Sequence, residues 1–549
     1  MKRLFNFFSI IIISICSIIG CSENFLNESP DFMDPDIVAL SNVIGFESAI
    51  AGLHAAARDE WVDAAERCFF MHIGTDIATT GDEALPTGKN YLTTVTPTAT
   101  PVTFYWNWAY QNVIPRANTI ISAGANNDVN WSNEAQKNFY IAEAKFFRAY
   151  AYNIIVNLFG RVPIVDKPAR EPKFDYIRAE RREVFEFIRE DLIFASEWLP
   201  ETASSEGRIV KAAADHLLSE VYISLGMYDE AIASASKVID SPLYDLMKVR
   251  FGNFKDEPGD PYSDLFKDNN QSRASGNKEM IFCYQIEYNT PGGQGAAGGN
   301  VWLRAWGSRY FDLKDPDGAA GMSVTDSLGR SVGWVRPTNY ALYDIWKDNP
   351  DDMRNSPHNI RRIWYYNNEK SAYLNQQVLP RQNIDTMYVL YPRIRKIEGL
   401  ALGGATIGRT YKDIPVMRLA ETYLLRAEAY MKKGGVENLQ EAADDINKVR
   451  DRANATPCNI NDITMDFILD ERARELLVEE PRRKTLARTG TLVDRVRRYN
   501  IRASTRETIQ DYHQWFPIPQ SAIDANKGAK LGQNYGYPDA TDSEIIDIL

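Results

Sequence analysis

The chain has 549 residues, 44% hydrophobic and 25% charged, enough apolar material for about two to four domains or one large helical body. Its formal charge of −12 opposes general attraction to phosphate backbones, so nucleic acid is excluded as the main partner. Of the five cysteines, Cys16 and Cys21 lie at the start, and Cys68, Cys283 and Cys458 are too scattered for a disulfide framework or a metal cluster.

Lys2 and Arg3 precede an apolar run over residues 4–19, the pattern of an export signal too short for a permanent span. The segment Ser17-Ile-Ile-Gly20-Cys21 resembles a bacterial lipobox, which predicts cleavage before a lipidated Cys21. Each buried methylene of an acyl chain contributes about 0.8 kcal/mol, so several chains on one cysteine anchor the protein to a bilayer without crossing it. Residues 1–20 are therefore expected to be a lipoprotein signal peptide, 21–36 a polar tether carrying Pro30 and Pro35, and 37–549 the folded body.

Within the body, Val43, Phe46, Ile50, Leu53, Ala57 and Trp61 predict an amphipathic helix across 37–61. Residues 75–101, rich in Thr, Gly, Asp and Pro, read as a long ordered loop of the kind that carries function. Helical spacing returns at Trp106, Ala109, Val113 and Ala117, and again from Phe139 to Tyr150. Ala214, Leu217, Leu218, Val221 and Leu225 lead into Gly226-Met-Tyr228, and Ala231, Ala235 and Val238 follow before Pro242, which together predict a helix hairpin of tetratricopeptide character. A similar hairpin is predicted from Val416 through Tyr430, Gly434-Gly435 and Val449. Each hairpin exposes apolar surface unless a neighbour covers it, so stacking into one scaffold is expected.

The helical scaffold is expected at about 37–245 and 409–549. Between them, about 246–408 reads as a loop-rich insertion with minor β content, including a β-like run from Glu279 to Glu287. Gly293-Gln-Gly295-Ala-Ala-Gly298 matches a dinucleotide fingerprint, but no helix start follows it. Gly329-Arg-Ser331-Val-Gly333 matches a nucleophile elbow without the required flanking strand and helix. The five histidines show no zinc-binding spacing, and the acidic turns at 256–260 and 315–318 do not match an EF-hand. Neither a cofactor, a metal nor a catalytic residue is expected.

The segment from Ala142 to Phe159-Gly160-Arg-Val-Pro163 resembles the signature of the SusD/RagB-like nutrient-binding lipoproteins of Bacteroidetes. So do Ile414-Pro-Val-Met-Arg418-Leu-Ala-Glu421 through Arg426 and Glu428, then Glu471-Arg-Ala-Arg474-Glu475 through Arg482, Arg483 and Arg488, and the ending Phe516-Pro-Ile-Pro519 through Tyr537. Glu480-Pro481 departs from the family's usual Glu-Gly or Glu-Asn. The motif arginines and glutamates read as buried pairs that fix the frame.

The resemblance implies a mainly α-helical, tetratricopeptide-like protein on the external face of the outer membrane, partnered with a SusC-like TonB-dependent transporter. It implies capture of oligosaccharide or polysaccharide without cleavage. Alternatives are a peptide-capturing member of the same family and a lipid-anchored glycoside hydrolase. By position in the family's pattern, the ligand surface is expected to draw on Asp82, Glu83, Asn90 and Tyr91 on one side, and on Trp302, Arg304, Trp306, Arg309, Tyr310 and Trp334 on the other. A sugar presents an apolar face to aromatic rings and hydroxyls to polar side chains. Trp302 and Trp306, alternating with Arg304 after a glycine-rich stretch, are expected to face outward.

Overall fold

The computed structural model describes residues 40–548, apart from 63–66, 86–87, 126–128, 296–297 and 382–384, and excluding the side chains of residues 67 and 68. The signal peptide, tether and Cys21 lie outside the described residues. The first helix, α1 (Val43–Arg58), is narrower than predicted; Asn42 caps it by accepting from the Gly45 amide at 3.1 Å, and Phe46, Ile50, Leu53 and Ala57 are buried. The expected loop at 75–101 contains strand β1 (Ala78–Thr80) and a short helix, Tyr91–Thr94. Helix α2 (Thr100–Asn107) runs through a π turn at Trp108–Val113 into α3 (Ile114–Gly124). Pro115, which has no N–H to donate, stands just where the π turn gives way to α3.

The longest helix among the described residues, α4 (Glu134–Phe159), is buried on nearly all sides, and its buried polar residues are paired: Arg148 donates to Asp191 at 2.7 Å and Asn153 to Glu220 at 2.7 Å. It packs against α5 (Arg181–Trp198), which packs in turn on α6 (Lys211–Leu225). Gly226 ends α6 at φ +76 with open space around it, so its backbone conformation alone calls for glycine, and α7 (Tyr228–Ile239) returns antiparallel.

Short elements follow: β2 (Met280–Tyr284), β3 (Val335–Pro337), β4 (Ile360–Arg361), β5 (Arg393–Ile394) and β6 (Ile414–Arg418). They form antiparallel pairs β1–β3, β2–β6 and β4–β5. Val416, placed on a helix by spacing, lies on β6, where Met280 opposite Arg418 and Tyr284 opposite Ile414 set the register. The second hairpin is α8 (Leu419–Lys433) and α9 (Val436–Arg452), with Gly434 and Gly435 between them, and α7 packs against α8. The hairpins thus cover one another, giving a mainly helical, tetratricopeptide-like fold with minor β content.

Helices α10 (Met465–Glu475) and α11 (Arg482–Arg488) bring the motif arginines inward. Arg418 meets Glu279 at 2.9 Å and Glu475 at 3.0 Å, Arg354 meets Glu471 at 2.7 Å, and Arg488 meets Glu428 at 2.6 Å, all buried. Burial opposes ionisation of Glu471, but Arg354, Arg474 and Arg450 outweigh it and hold its pKa at about 2. Such pairs add little net stability, yet removing one partner leaves a buried charge and costs about 3–5 kcal/mol. They therefore specify how β2, β6, α10 and the 352–354 turn fit together.

Candidate glycan-binding surface

The β1–β3 pair is the platform of the surface, with Ala78 opposite Pro337 and Thr80 opposite Val335. Beyond it Gly81 donates to the Trp334 carbonyl at 3.2 Å, and Gly333 donates to Gly307 at 2.9 Å. A Cβ on Gly81 would lie 2.4 Å from the Gly333 carbonyl oxygen and 2.6 Å from that of Met387. Glycine at this point lets the loops around 81, 333 and 387 meet.

That meeting assembles a half-exposed polar and aromatic patch. Arg309 donates to the Tyr388 hydroxyl at 2.7 Å, its backbone amide donates to the Tyr388 carbonyl at 2.9 Å, and it pairs with Asp312. The Tyr388 hydroxyl donates to Asp82 at 3.4 Å. Burial raises the Tyr388 phenol above its ordinary range, so it remains a protonated donor. Nearby, the Arg304 guanidinium lies 5.0 Å from the centroid of the half-buried Trp334 ring, and Phe311 lies between Arg309 at 5.4 Å and Arg330 at 5.8 Å. Exposed Glu83 pairs with Arg502 at 2.8 Å and Lys89 at 3.1 Å; hydrogen bonds from both cations lower its pKa.

Asp82, Arg304, Arg309 and Trp334 therefore share one neighbourhood, with Glu83 at its margin. Four of the other expected residues, Tyr91, Trp302, Trp306 and Tyr310, are buried instead. Trp302 and Trp306 are 3% and 1% exposed. They stand four apart on the short helix Trp302–Trp306, so both rings fall on one face, packed on Trp61 at 6.1 Å and on His72 at 5.1 Å, while Arg304 takes the other face. Alternation with arginine was the signature of an amphipathic turn, and the outward reading of these tryptophans is corrected.

Tyr310 is also core: its ring stacks on Trp364 at 5.8 Å and its hydroxyl donates to Gly329 at 2.8 Å. Tyr91 is buried beneath the loop, donating to the Gly74 carbonyl at 2.7 Å and accepting from Arg483 at 3.2 Å. Half-exposed Asn90 caps the Tyr91–Thr94 helix, its Oδ1 accepting from the Thr93 amide at 3.3 Å. Tyr388 and Arg502 join this neighbourhood without a signal in the sequence. No motif marks Tyr388, whose neighbours in the chain are Met387 and Val389.

The rejected motifs have structural explanations. Ser331 is buried, donates to the Ser308 carbonyl at 2.5 Å and accepts from Arg393 at 2.8 Å; the next element is β3 rather than a helix. Asp315 closes its own turn through the Asp317 and Ala319 amides and Ser371. Among the described residues, no cluster of histidine, cysteine, aspartate or glutamate is arranged to hold a metal ion, and no helix is long and apolar enough to cross a membrane.

Comparison with known proteins accounts for this architecture. Residues 265–537 match the model of the SusD family, and residues 24–223 match one described as "Starch-binding associating with outer membrane". The starch-binding protein SusD of Bacteroides thetaiotaomicron is 26% identical, over 79% of this chain and 83% of that protein. SusD-like protein P2 of Formosa agariphila is 27% identical over 85% and 86%. Among solved structures, a laminarin-binding SusD-like protein superposes with a TM-score of 0.66 at 23% identity, covering 90% of this chain and all of that one. Surface glycan-binding protein A from B. thetaiotaomicron in complex with laminarihexaose gives 0.66 at 20% identity, over 89% and 98%. The fold is thus that of a mainly helical SusD-like scaffold, and this chain belongs to the SusD/RagB family.

Proposed function

We propose that this protein captures oligosaccharides or polysaccharides at the outer face of the outer membrane and passes them to a SusC-like TonB-dependent transporter, without cleaving them. In this reading residues 1–20 are removed, Cys21 carries the lipid anchor, 21–36 is the tether, and the helical scaffold with its 246–408 insertion presents the ligand surface. The observation that carries it is the linked set Asp82, Tyr388 and Arg309 beside Trp334 and Arg304. Rings supply apolar faces for sugar C–H groups, and the charged side chains supply acceptors and donors for hydroxyls. The starch, laminarin and laminarihexaose named for relatives point to the same ligand class.

Affinity electrophoresis of residues 37–549 against a panel of glucans, galactans and mannans, with calorimetry for peptides of matched size, tests the ligand. Retardation by at least one glycan and no heat with peptides supports the proposal. Peptide binding without glycan retardation, or release of new reducing ends during incubation, removes it. Copurification of the full chain with a TonB-dependent barrel tests delivery.

A further inference from the structure

Residues 164–176 form a strap outside any helix or strand, crossing the surface near α2, the π turn and α3. Beneath it lies a cavity of about 290 Å³ walled by Trp106, Tyr110, Pro163, Phe174, Tyr176 and Leu531. It shares no residue with the glycan surface. The Trp106 and Tyr110 ring centroids are 4.8 Å apart, tilted by 45°. Tyr110 stands on the π turn, and single turns of this kind recur at functional sites because they re-aim side chains along a helix.

The strap is held in place by side chains whose polar groups are thereby used up. Tyr110 donates to the Pro163 carbonyl at 2.6 Å and Asn118 to Val165 at 2.9 Å. Asn526 accepts from the Tyr176 amide and donates to its carbonyl, each at 2.8 Å. What remains toward the cavity is a mainly apolar wall that includes the rings of Trp106, Tyr110, Phe174 and Tyr176. Among the described residues no carboxylate lines it, whereas Lys167 and Lys173 do, in a chain of net charge −12. Lys173 lies 5.2 Å from the Tyr176 ring and faces Asp175 only at 3.9 Å across exposed surface. Phe174, 53% exposed, is a ring left at the entrance.

We propose that this cavity is a second binding site, for a small aromatic monocarboxylate whose ring fills the apolar floor while its carboxylate meets Lys167 and Lys173. An apolar cavity with a few convergent polar groups is the usual form of a small-molecule site, and the lysines select for an anion. The site is independent of glycan capture.

Calorimetry of the full chain with 2-naphthoate, naphthalene-2-methanol and octanoate tests it. The expected result is saturable naphthoate binding about tenfold or more tighter than the neutral alcohol. The surface double variant K167E/K173E is expected to lose that preference, and A522W, which places a bulky ring in the cavity, to lose binding altogether. Both are expected to keep wild-type circular dichroism and glycan retardation. Absence of saturable heat with naphthoate, equal affinity for the alcohol, tighter binding of octanoate, or full binding by a folded A522W protein would each overturn the proposal.

Discussion

Arg482 grips Asp76 through two nitrogens, Nε at 3.0 Å and Nη2 at 2.7 Å, across 406 residues of chain. Arg495 adds a third contact at 2.7 Å. The cluster is buried and clamps the start of β1 to the C-terminal motif, directly behind the loop that carries Asp82. Burial opposes ionisation of Asp76, but the two arginines outweigh it and lower its pKa from 3.8 to about 2. A carboxylate depressed on folding contributes stability above its unfolded pKa and loses it as pH falls through the folded value. We expect about 2 kcal/mol to disappear between roughly pH 4 and 2, and Asp76→Asn to flatten that limb of an acid-unfolding curve. Arg482→Met is expected to cost about 3–5 kcal/mol by denaturant unfolding, because it strands a buried carboxylate.

Glu60 has the opposite sign. It is 3% exposed, and burial outweighs the nearby Tyr150 hydroxyl and Lys484 and raises its pKa from 4.5 to about 8. The folded state therefore holds a proton that the unfolded chain gives up, and stability falls as pH rises from about 4.5 to 8, by up to about 1.4 kcal/mol per unit. Glu60→Gln should remove this slope. The two proteins are expected to unfold alike near pH 4.5 and to diverge progressively by pH 8, with the variant more stable; parallel curves would contradict the assignment.

Trp334 and Trp306 should separate affinity from stability. Trp334→Ala is expected to weaken glycan binding by about 1–3 kcal/mol in calorimetry with little change in unfolding, since its ring is half-buried at the surface. Trp306→Ala should instead cost about 3–5 kcal/mol of stability, the usual consequence of emptying a core aromatic site. Tyr388→Phe keeps the ring but removes the hydroxyl that links Arg309 to Asp82, and an affinity loss of about 1 kcal/mol is expected.

Gly81→Ala tests whether the close loop approach builds the surface. The added methyl meets two backbone carbonyl oxygens within 2.6 Å, and neither can rotate away. Separation of the loops around 333 and 387 is expected to cost about 1–3 kcal/mol in unfolding and to reduce glycan affinity alongside it. Wild-type affinity in this variant would show that the loops need not meet.

The hairpin α6–α7 was legible because its information is local: apolar residues three and four apart choose the buried face, and Gly226 supplies the left-handed turn. The arginine and glutamate motifs could likewise be read as structural, although their pairings could not, since Arg354 and Glu471 meet only when the 352–354 turn folds onto α10. The π turn at 108–113 was invisible because its residues keep helical apolar spacing on either side.

By itself, the sequence determined that the chain is a helical scaffold of stacked hairpins, a member of a recognisable family, with aromatic residues spread through both its helices and its irregular middle. The tertiary structure decided which of those rings reach water. Exposure depends on what remote segments pack against a side chain: Trp61 and His72 cover Trp302 and Trp306, whereas the loop carrying Tyr388 closes around Arg309 and leaves Trp334 at the surface.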